Sequence, residues 1–220
     1  MTEEAHAFFD AIAGRYERAY ALPPAQSRAR MERIALVLPP APARVLDLGV
    51  GTGRELTALL DAGHALTGLD ASQAMLDRCA RRARPVPLVH ADFWAPLPFP
   101  DGAFDAVLAL HGTLAHPPDD RAMARLAREL ARVTGPGAVF AAEVPSPAWL
   151  GRLDAIEPQG DRRARRTGPR TCVYEDLVTG ASIEARFLDE AEWTAALAPD
   201  WRAAIESIDE LEWLVVAHRI

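Results

Sequence analysis

The run Arg44-Val45-Leu46-Asp47-Leu48-Gly49-Val50-Gly51-Thr52-Gly53-Arg54-Glu55 constrains this chain more than any other stretch of it. Val45, Leu46 and Leu48 form a short apolar run that stops at a glycine cluster, and Leu56, Leu59, Leu60 and Ala62 then recur at helical spacing. The pattern predicts a buried strand, a tight turn and the first turn of a helix. Glycines at alternate positions leave the main chain without Cβ atoms where it must bend, so that a ligand can come close to the backbone. Free amides at the helix start add a partly positive end. A turn of this kind either cradles a polar small molecule or is a loop that needs only the freedom.

Spacing narrows the choice of ligand. A dinucleotide fingerprint, G-x-G-x-x-G, needs its third glycine at position 54, where this chain has arginine. Asp47, two places before the first glycine, would repel a pyrophosphate and attract a cation. The pattern D-x-G-x-G-x-G over Asp47, Gly49, Gly51 and Gly53 resembles the first motif of class I S-adenosylmethionine-dependent methyltransferases. That resemblance implies S-adenosyl-L-methionine as cofactor, with Asp47 near its methionine part and the three glycines under its adenosine.

Residues 65–70 predict a second strand ending at Asp70, seventeen residues past Gly53 and near the spacing of about 20 at which an acid accepts hydrogen bonds from a ribose diol. The competing role for Asp70 is a cap for the helix that starts near Ser72. Ala71 adjoins it, and Met75, in a helix expected over 72–83, faces either the adenine or the core. A third strand over 86–91 leads to Asp92 and Phe93, a carboxylate and an amide suited to an adenine edge. The following Pro96-Leu97-Pro98-Phe99-Pro100-Asp101-Gly102-Ala103-Phe104-Asp105 is rich in turn formers and resembles the corresponding stretch of bacterial methyltransferases acting on small molecules. Residues 105–110 give a fourth strand, and by the same resemblance Leu110 at its end lies beside the methionine part. A helix over 119–133, a turn at Gly135-Pro136-Gly137 and a fifth strand over 138–144 continue the pattern.

On either side of this core the reading is less specific. Residues 1–22 predict one helix bearing Phe8, Phe9 and Ile12, and 26–38 a second, stopped by Pro39-Pro40. The segment 8–16 resembles the N-terminal helix of small-molecule methyltransferases, in which an aromatic closes over the cofactor; Tyr16 is the candidate, with core packing as its alternative. Residues 145–170 predict a long loop carrying Arg162, Arg163, Arg165, Arg166 and Arg170. Such a charge run is either solvated or, closing over a site, selective for an anion. Residues 171–176 and 181–187 predict a hairpin, and a helix over 189–197 with strands near 203–208 and 213–218 ends the chain.

The expected architecture is therefore α/β, a Rossmann-like, doubly wound sheet of seven mostly parallel strands with the last antiparallel, N-terminal helices and a hairpin insertion. One domain is expected over residues 1–220: a helical cap (1–43), a cofactor core (44–144), an insertion on the substrate side (145–188) and a C-terminal helix with strands (189–220). A net charge of −7 argues against nucleic acid as partner. Cys79 and Cys172 stand apart, indicating neither a disulfide framework nor a metal site. With no apolar run long enough to span a bilayer and no signal pattern at the N-terminus, a cytoplasmic protein is expected, as a monomer or homodimer.

Methyl transfer from a sulfonium needs chiefly alignment of the nucleophile, and a base only where that nucleophile is protonated. His111 and His116, both after the fourth strand, are the candidate bases. The expected activity is methyl transfer to a small-molecule acceptor. The alternative is a protein that binds S-adenosylmethionine or S-adenosylhomocysteine without catalysis, as a regulator or partner subunit.

Overall fold

The computed structural model of the chain describes residues 2–82, 85–153 and 161–220. Its main sheet has seven strands in the order β3-β2-β1-β4-β5-β10-β9. β1 (Arg44–Leu48), β2 (Ala65–Asp70), β3 (Leu88–His90), β4 (Phe104–Ala109) and β5 (Thr134–Pro145) run parallel, and β10 (Glu212–Arg219) runs against both β5 and β9 (Trp201–Ser207). One strand is thus reversed, the last of the chain, as expected from the sequence.

Strand alternation splits the buried residues between two faces. Leu46, Leu48, Val107 and Phe140 pack against α6 (Ala122–Val133) and α8 (Glu190–Leu197). Val45, Leu66, Ala106, Leu108 and Ala141 pack against α3 (Pro24–Val37), α4 (Leu56–Asp61) and α5 (Gln73–Cys79). Both faces being covered, the strands read as continuous apolar runs, and each fully buried leucine contributes about 1.5–3 kcal/mol. In α6, Met123, Leu126, Ala127 and Leu130 fall on one stripe and are buried. Asp189 starts α8 with a reciprocal capping box to Glu192. Cys79 and Cys172 are buried free thiols, each pushed up to about 11 by burial.

Four expectations need correction. The first 22 residues form two helices, α1 (Glu3–Ile12) and α2 (Tyr16–Ala19), because the chain turns at Gly14 and Arg15. The third strand is only three residues long, since Pro85 and Pro87 have no N–H for the ladder. The expected helix over 72–83 covers Gln73–Cys79, and its end at Ala83 lies outside the described residues. Gly135-Pro136-Gly137 is a bulge inside β5 and not a turn before it: the register with β4 moves from Phe104↔Thr134 to Ala106↔Val139.

The largest departure is the arginine-rich segment. Pro145 is followed by α7 (Ala148–Arg152), and the expected loop then crosses residues 154–160, outside the described part. Arg162–Arg166 is a strand, β6, antiparallel to β7 (Thr171–Asp176), which pairs in turn with β8 (Ser182–Arg186). The insertion is a three-stranded sheet where a hairpin was expected. Charge had hidden the strand, because arginine runs are normally solvated. α1 packs between this small sheet and the core, with Phe8 and Ile12 against Ile183 and Met75. No helix among the described residues is long and apolar enough to cross a membrane.

Candidate functional site

The carboxyl ends of β1, β2, β4 and β5 meet beneath α1, α2 and the small sheet, enclosing a cavity of about 360 Å³. A neighbouring recess of about 30 Å³ lies over the glycine turn and shares its Tyr16, Gly49, Gly51, His111 and Thr113 walls. The turn is held by two amides, Gly49 and Val50, that donate to the Leu69 carbonyl at 2.7 and 3.0 Å. Gly49, Gly51 and Gly53 all have positive φ, at 64°, 54° and 74°, which only glycine adopts freely.

Their surroundings differ. A Cβ on Gly49 would lie 2.5 Å from Thr113 Cγ2, and one on Gly53 2.6 Å from Cys79 Sγ, whereas one on Gly51 meets nothing nearer than the Gly49 carbonyl oxygen at 3.8 Å. Gly51 opens onto the cavity, Gly49 lines it while making room for Thr113, and Gly53 lines neither space and lets α5 pack close. Of the three glycines expected to floor a ligand, Gly49 and Gly51 line these spaces and Gly53 does not.

Asp70 accepts from the Gly51 amide and the Ser72 amide, each at 2.8 Å, and lines the cavity. Burial raises its carboxyl above the ordinary range, against the pull of these amides. The helix cap proper is Ser72, whose Oγ accepts from the Met75 amide. Asp47 is buried at the end of β1 and lines the recess with no hydrogen-bond or ion-pair partner among the described residues. Burial first, then Glu55 and Asp70, push its carboxyl well up. Beside these acids stands Arg54, whose Nη1 donates to the Tyr20 carbonyl at 2.9 Å and whose Nη2 is buried without a hydrogen bond.

His111 follows β4 with φ 57°, the left-handed region, unusual outside glycine. Arg30 Nη1 approaches its Nδ1 at 2.6 Å. A guanidinium only donates, so Nδ1 accepts and the ring proton sits on Nε2, which donates to Glu55. Arg30 also pairs with Glu143 at 2.6 Å and Glu212 at 3.2 Å. Both ring nitrogens of His111 are thus committed, and in this arrangement it has no lone pair for a base; it fixes Glu55. His116 is different. Its Nδ1 lies 2.7 Å from the Glu184 carbonyl, which can only accept, so the proton is on Nδ1 and Nε2 is the acceptor in a ring that lines the cavity. Burial lowers its pKa to about 4, keeping it neutral near pH 7.

Tyr16 lines both spaces and belongs to a stack. The Arg54 guanidinium lies 5.4 Å from its ring centre, Tyr16 and Tyr20 stack at 4.8 Å, and the Arg162 guanidinium lies 4.4 Å from the Tyr20 ring. Burial pushes the Tyr16 hydroxyl pKa up. Glu17, next to Tyr16, takes hydrogen bonds from Thr52 of the glycine turn and from Arg82. Burial opposes ionisation, yet these donors hold its carboxyl below the ordinary range. Met75 and Phe93 line the large cavity and Leu110 the recess. Ala71 and Asp92 line neither; Asp92 accepts from the Trp94 amide at 2.9 Å, and the Ala71 carbonyl meets His90 Nε2.

Sequence reasoning missed Arg30, Arg54, Glu55, Glu143 and Glu212. Arg54 and Glu55 were in plain view beside the glycines, while Arg30, Glu143 and Glu212 come from three separate elements that only the sheet order brings together.

A family model described as a methyltransferase domain matches residues 45–137. The chain is 31% identical over 178 residues to trans-aconitate 2-methyltransferase of Acidovorax ebreus (strain TPSY), covering 79% of this chain and 63% of that protein. It is 30% identical over 206 residues to 27-O-demethylrifamycin SV methyltransferase of Amycolatopsis mediterranei (strain S699), covering 85% of this chain and 70% of that one. The first of these relatives is thus spanned over less than two thirds of its length and the second over more. Among solved structures, the CcbJ methyltransferase from Streptomyces caelestis superposes with a TM-score of 0.75 at 19% identity, covering 96% of this chain and 97% of that one, and so shares the fold. A match that begins in β1, takes in the glycine turn and ends within β5, together with a relative aligned over most of both chains, means that this chain belongs to the class I S-adenosylmethionine-dependent methyltransferases.

Proposed function

We propose that this chain transfers the methyl group of S-adenosyl-L-methionine to a small-molecule acceptor. The carrying observation is the recess over the glycine turn: Asp47, buried with no cationic partner among the described residues, shares it with Glu55 and with Arg54, whose buried Nη2 has no hydrogen bond. An isolated buried charge is costly unless paired. The ammonium of a ligand that carries an amino and a carboxylate group on one carbon offsets the buried acids, and its carboxylate meets the open Nη2 of Arg54, whose Nε faces Glu17 at 3.7 Å; a diphosphate offsets neither acid. The amino acid end of S-adenosylmethionine has this character.

Residues 44–144 hold the cofactor in this reading, and 1–43 with 145–188 cover the acceptor. Asp47 and Glu55 take the ammonium and Arg54 the carboxylate, with Leu110 as an apolar wall. Asp70 takes the ribose hydroxyls through the lone pairs left by its two amide bonds. Gly49 and Gly51 admit the nucleoside to the backbone, and Met75 and Phe93 pack on it. Bound there, the cofactor supplies a methyl group on a sulfonium. Tyr16 and the aromatic walls exclude water, and His116 Nε2 accepts a hydrogen bond from an acceptor hydroxyl where there is one, orienting its oxygen.

The test is calorimetric titration with S-adenosylmethionine, S-adenosylhomocysteine and NAD, followed by a labelled methyl donor offered with metabolite extracts. Binding of the first two and label in an extracted small molecule are expected. Binding of NAD in their place overturns the proposal, and cofactor binding without labelled product favours a non-catalytic role.

A further inference from the structure

The charges lining the large cavity are nearly all committed to one another. Arg30 is matched by Glu143 and Glu212, and Asp70 is held by backbone amides. Arg162 is the exception. It lines the cavity, and no carboxylate among the described residues lies within ion-pair distance of it. Asp176, its register partner in β7, is taken by Arg15 at 2.6 Å and by the Thr179 amide.

Strand parity explains why this arginine and not its neighbours faces inward. Side chains of β6 alternate: Arg162 and Ala164 are half-buried, Arg163 and Arg165 exposed. Arg163 is spent on Glu175 at the outer surface. The Arg162 guanidinium lies over the Tyr20 ring, 4.4 Å from its centre, a contact that holds it against the cavity wall. Phe9, Trp149 and Tyr174 line the same cavity, with Trp149 edge-on to Tyr174 at 6.1 Å and Phe9 edge-on to His116 at 5.8 Å.

From this geometry we infer that the acceptor is a small aromatic carboxylate, its ring among Phe9, Trp149 and Tyr174 and its carboxylate on the edge of Arg162. The inference rests on the methyltransferase reading for the word acceptor; the anion site itself stands on the cavity. A guanidinium fork matches a carboxylate with two charge-assisted hydrogen bonds, and the aromatic walls account for the rest of the ligand surface.

Benzoate and trans-cinnamate, each against its primary amide, are titrated into the whole protein with and without S-adenosylhomocysteine. The carboxylates are expected to bind at least about tenfold tighter than the amides, the scale of one lost charged pair. Arg162→Gln removes that preference and leaves S-adenosylhomocysteine binding intact, Arg162→Lys restores part of it, and Arg165→Gln, on the outer face, leaves it unchanged. Equal binding of acid and amide, no binding of either acid, or a preference that survives Arg162→Gln overturns the inference. Failure to bind S-adenosylhomocysteine instead sinks the reading above, and the titration without it still reads the anion site.

Discussion

The two halves of the enclosed space are built by opposite means. Around the glycine turn, the passage from β1 to the end of β2 supplies Asp47, Gly49, Gly51 and Asp70, and the turn is held by backbone amides at 2.7–3.0 Å. On the opposite side the walls come from α1, α2, α7, β6, β7 and β8, and they meet through rings, tied down by ion pairs such as Arg15 to Asp176. The arginine–tyrosine–tyrosine–arginine stack joins the two, Arg54 at one end and Arg162 at the other. A rigid backbone site suits a ligand shared by a whole family. A side-chain site can be rebuilt without disturbing it.

Asp47 is the residue at which the two sides part most clearly. Asp47→Asn is expected to weaken S-adenosylmethionine by about 1.5–3 kcal/mol, the worth of a hydrogen bond to a charged group. Because burial disfavours the ionised carboxyl, the same change raises the melting temperature of the ligand-free protein, by roughly 2–4 °C per kcal/mol gained for a chain of this size. Calorimetry and thermal unfolding together check this, and an unchanged affinity removes Asp47 from the site. Asp70→Ala comes next, with about 1–3 kcal/mol of cofactor affinity lost; unchanged binding leaves Asp70 only its bonds to Gly51 and Ser72.

Within the glycine turn the contrast can be sharpened. Gly49→Ala and Gly51→Ala both impose a left-handed alanine, costing roughly 1–2 kcal/mol. Gly49→Ala adds a clash with Thr113, so its loss of stability in denaturant is expected to exceed that of Gly51→Ala. Gly51→Ala, whose methyl points into open space, is expected to lose relatively more cofactor affinity. The reverse order would place Gly51 away from the ligand.

The last expectation concerns stability alone, on the side of the cavity away from the glycine turn. His116 titrates near 4 in the folded chain and near 6.5 when unfolded. The unfolded state therefore takes up its proton first, and this contribution to stability, complete above pH 6.5, is lost as pH falls towards 4. His116→Gln should flatten the fall in stability over that window, measured by denaturant melts at each pH; an unaltered profile removes the burial argument.

The strands and the turn around Asp47 were legible because their information is local. Asp47, the glycines and Asp70 lie in one strand–turn–helix–strand passage, and apolar periodicity fixed the strands around them. His111 shows the limit of such a reading. Its place after the fourth strand was legible, but which of its ring nitrogens accepts is decided by Arg30, eighty-one residues away in sequence. Gly53 was grouped with its neighbours by resemblance, and its close approach to Cys79 of α5 was not visible in the sequence. The strand β6 could not be seen at all, since its pattern is charge alternating with charge and only a partner strand gives it an inside.

That strand makes preference for an acceptor a matter of odd and even. A slip of one place along the ladder would carry Arg162 to the solvent and present Arg163 to the cavity, detached from its present carboxylate. A single inserted or deleted residue near β6 would thus exchange the guanidinium offered to an incoming molecule while the glycine turn stayed as it is. Diversification of chemistry in such a chain has an inexpensive route, through counting rather than through new side chains.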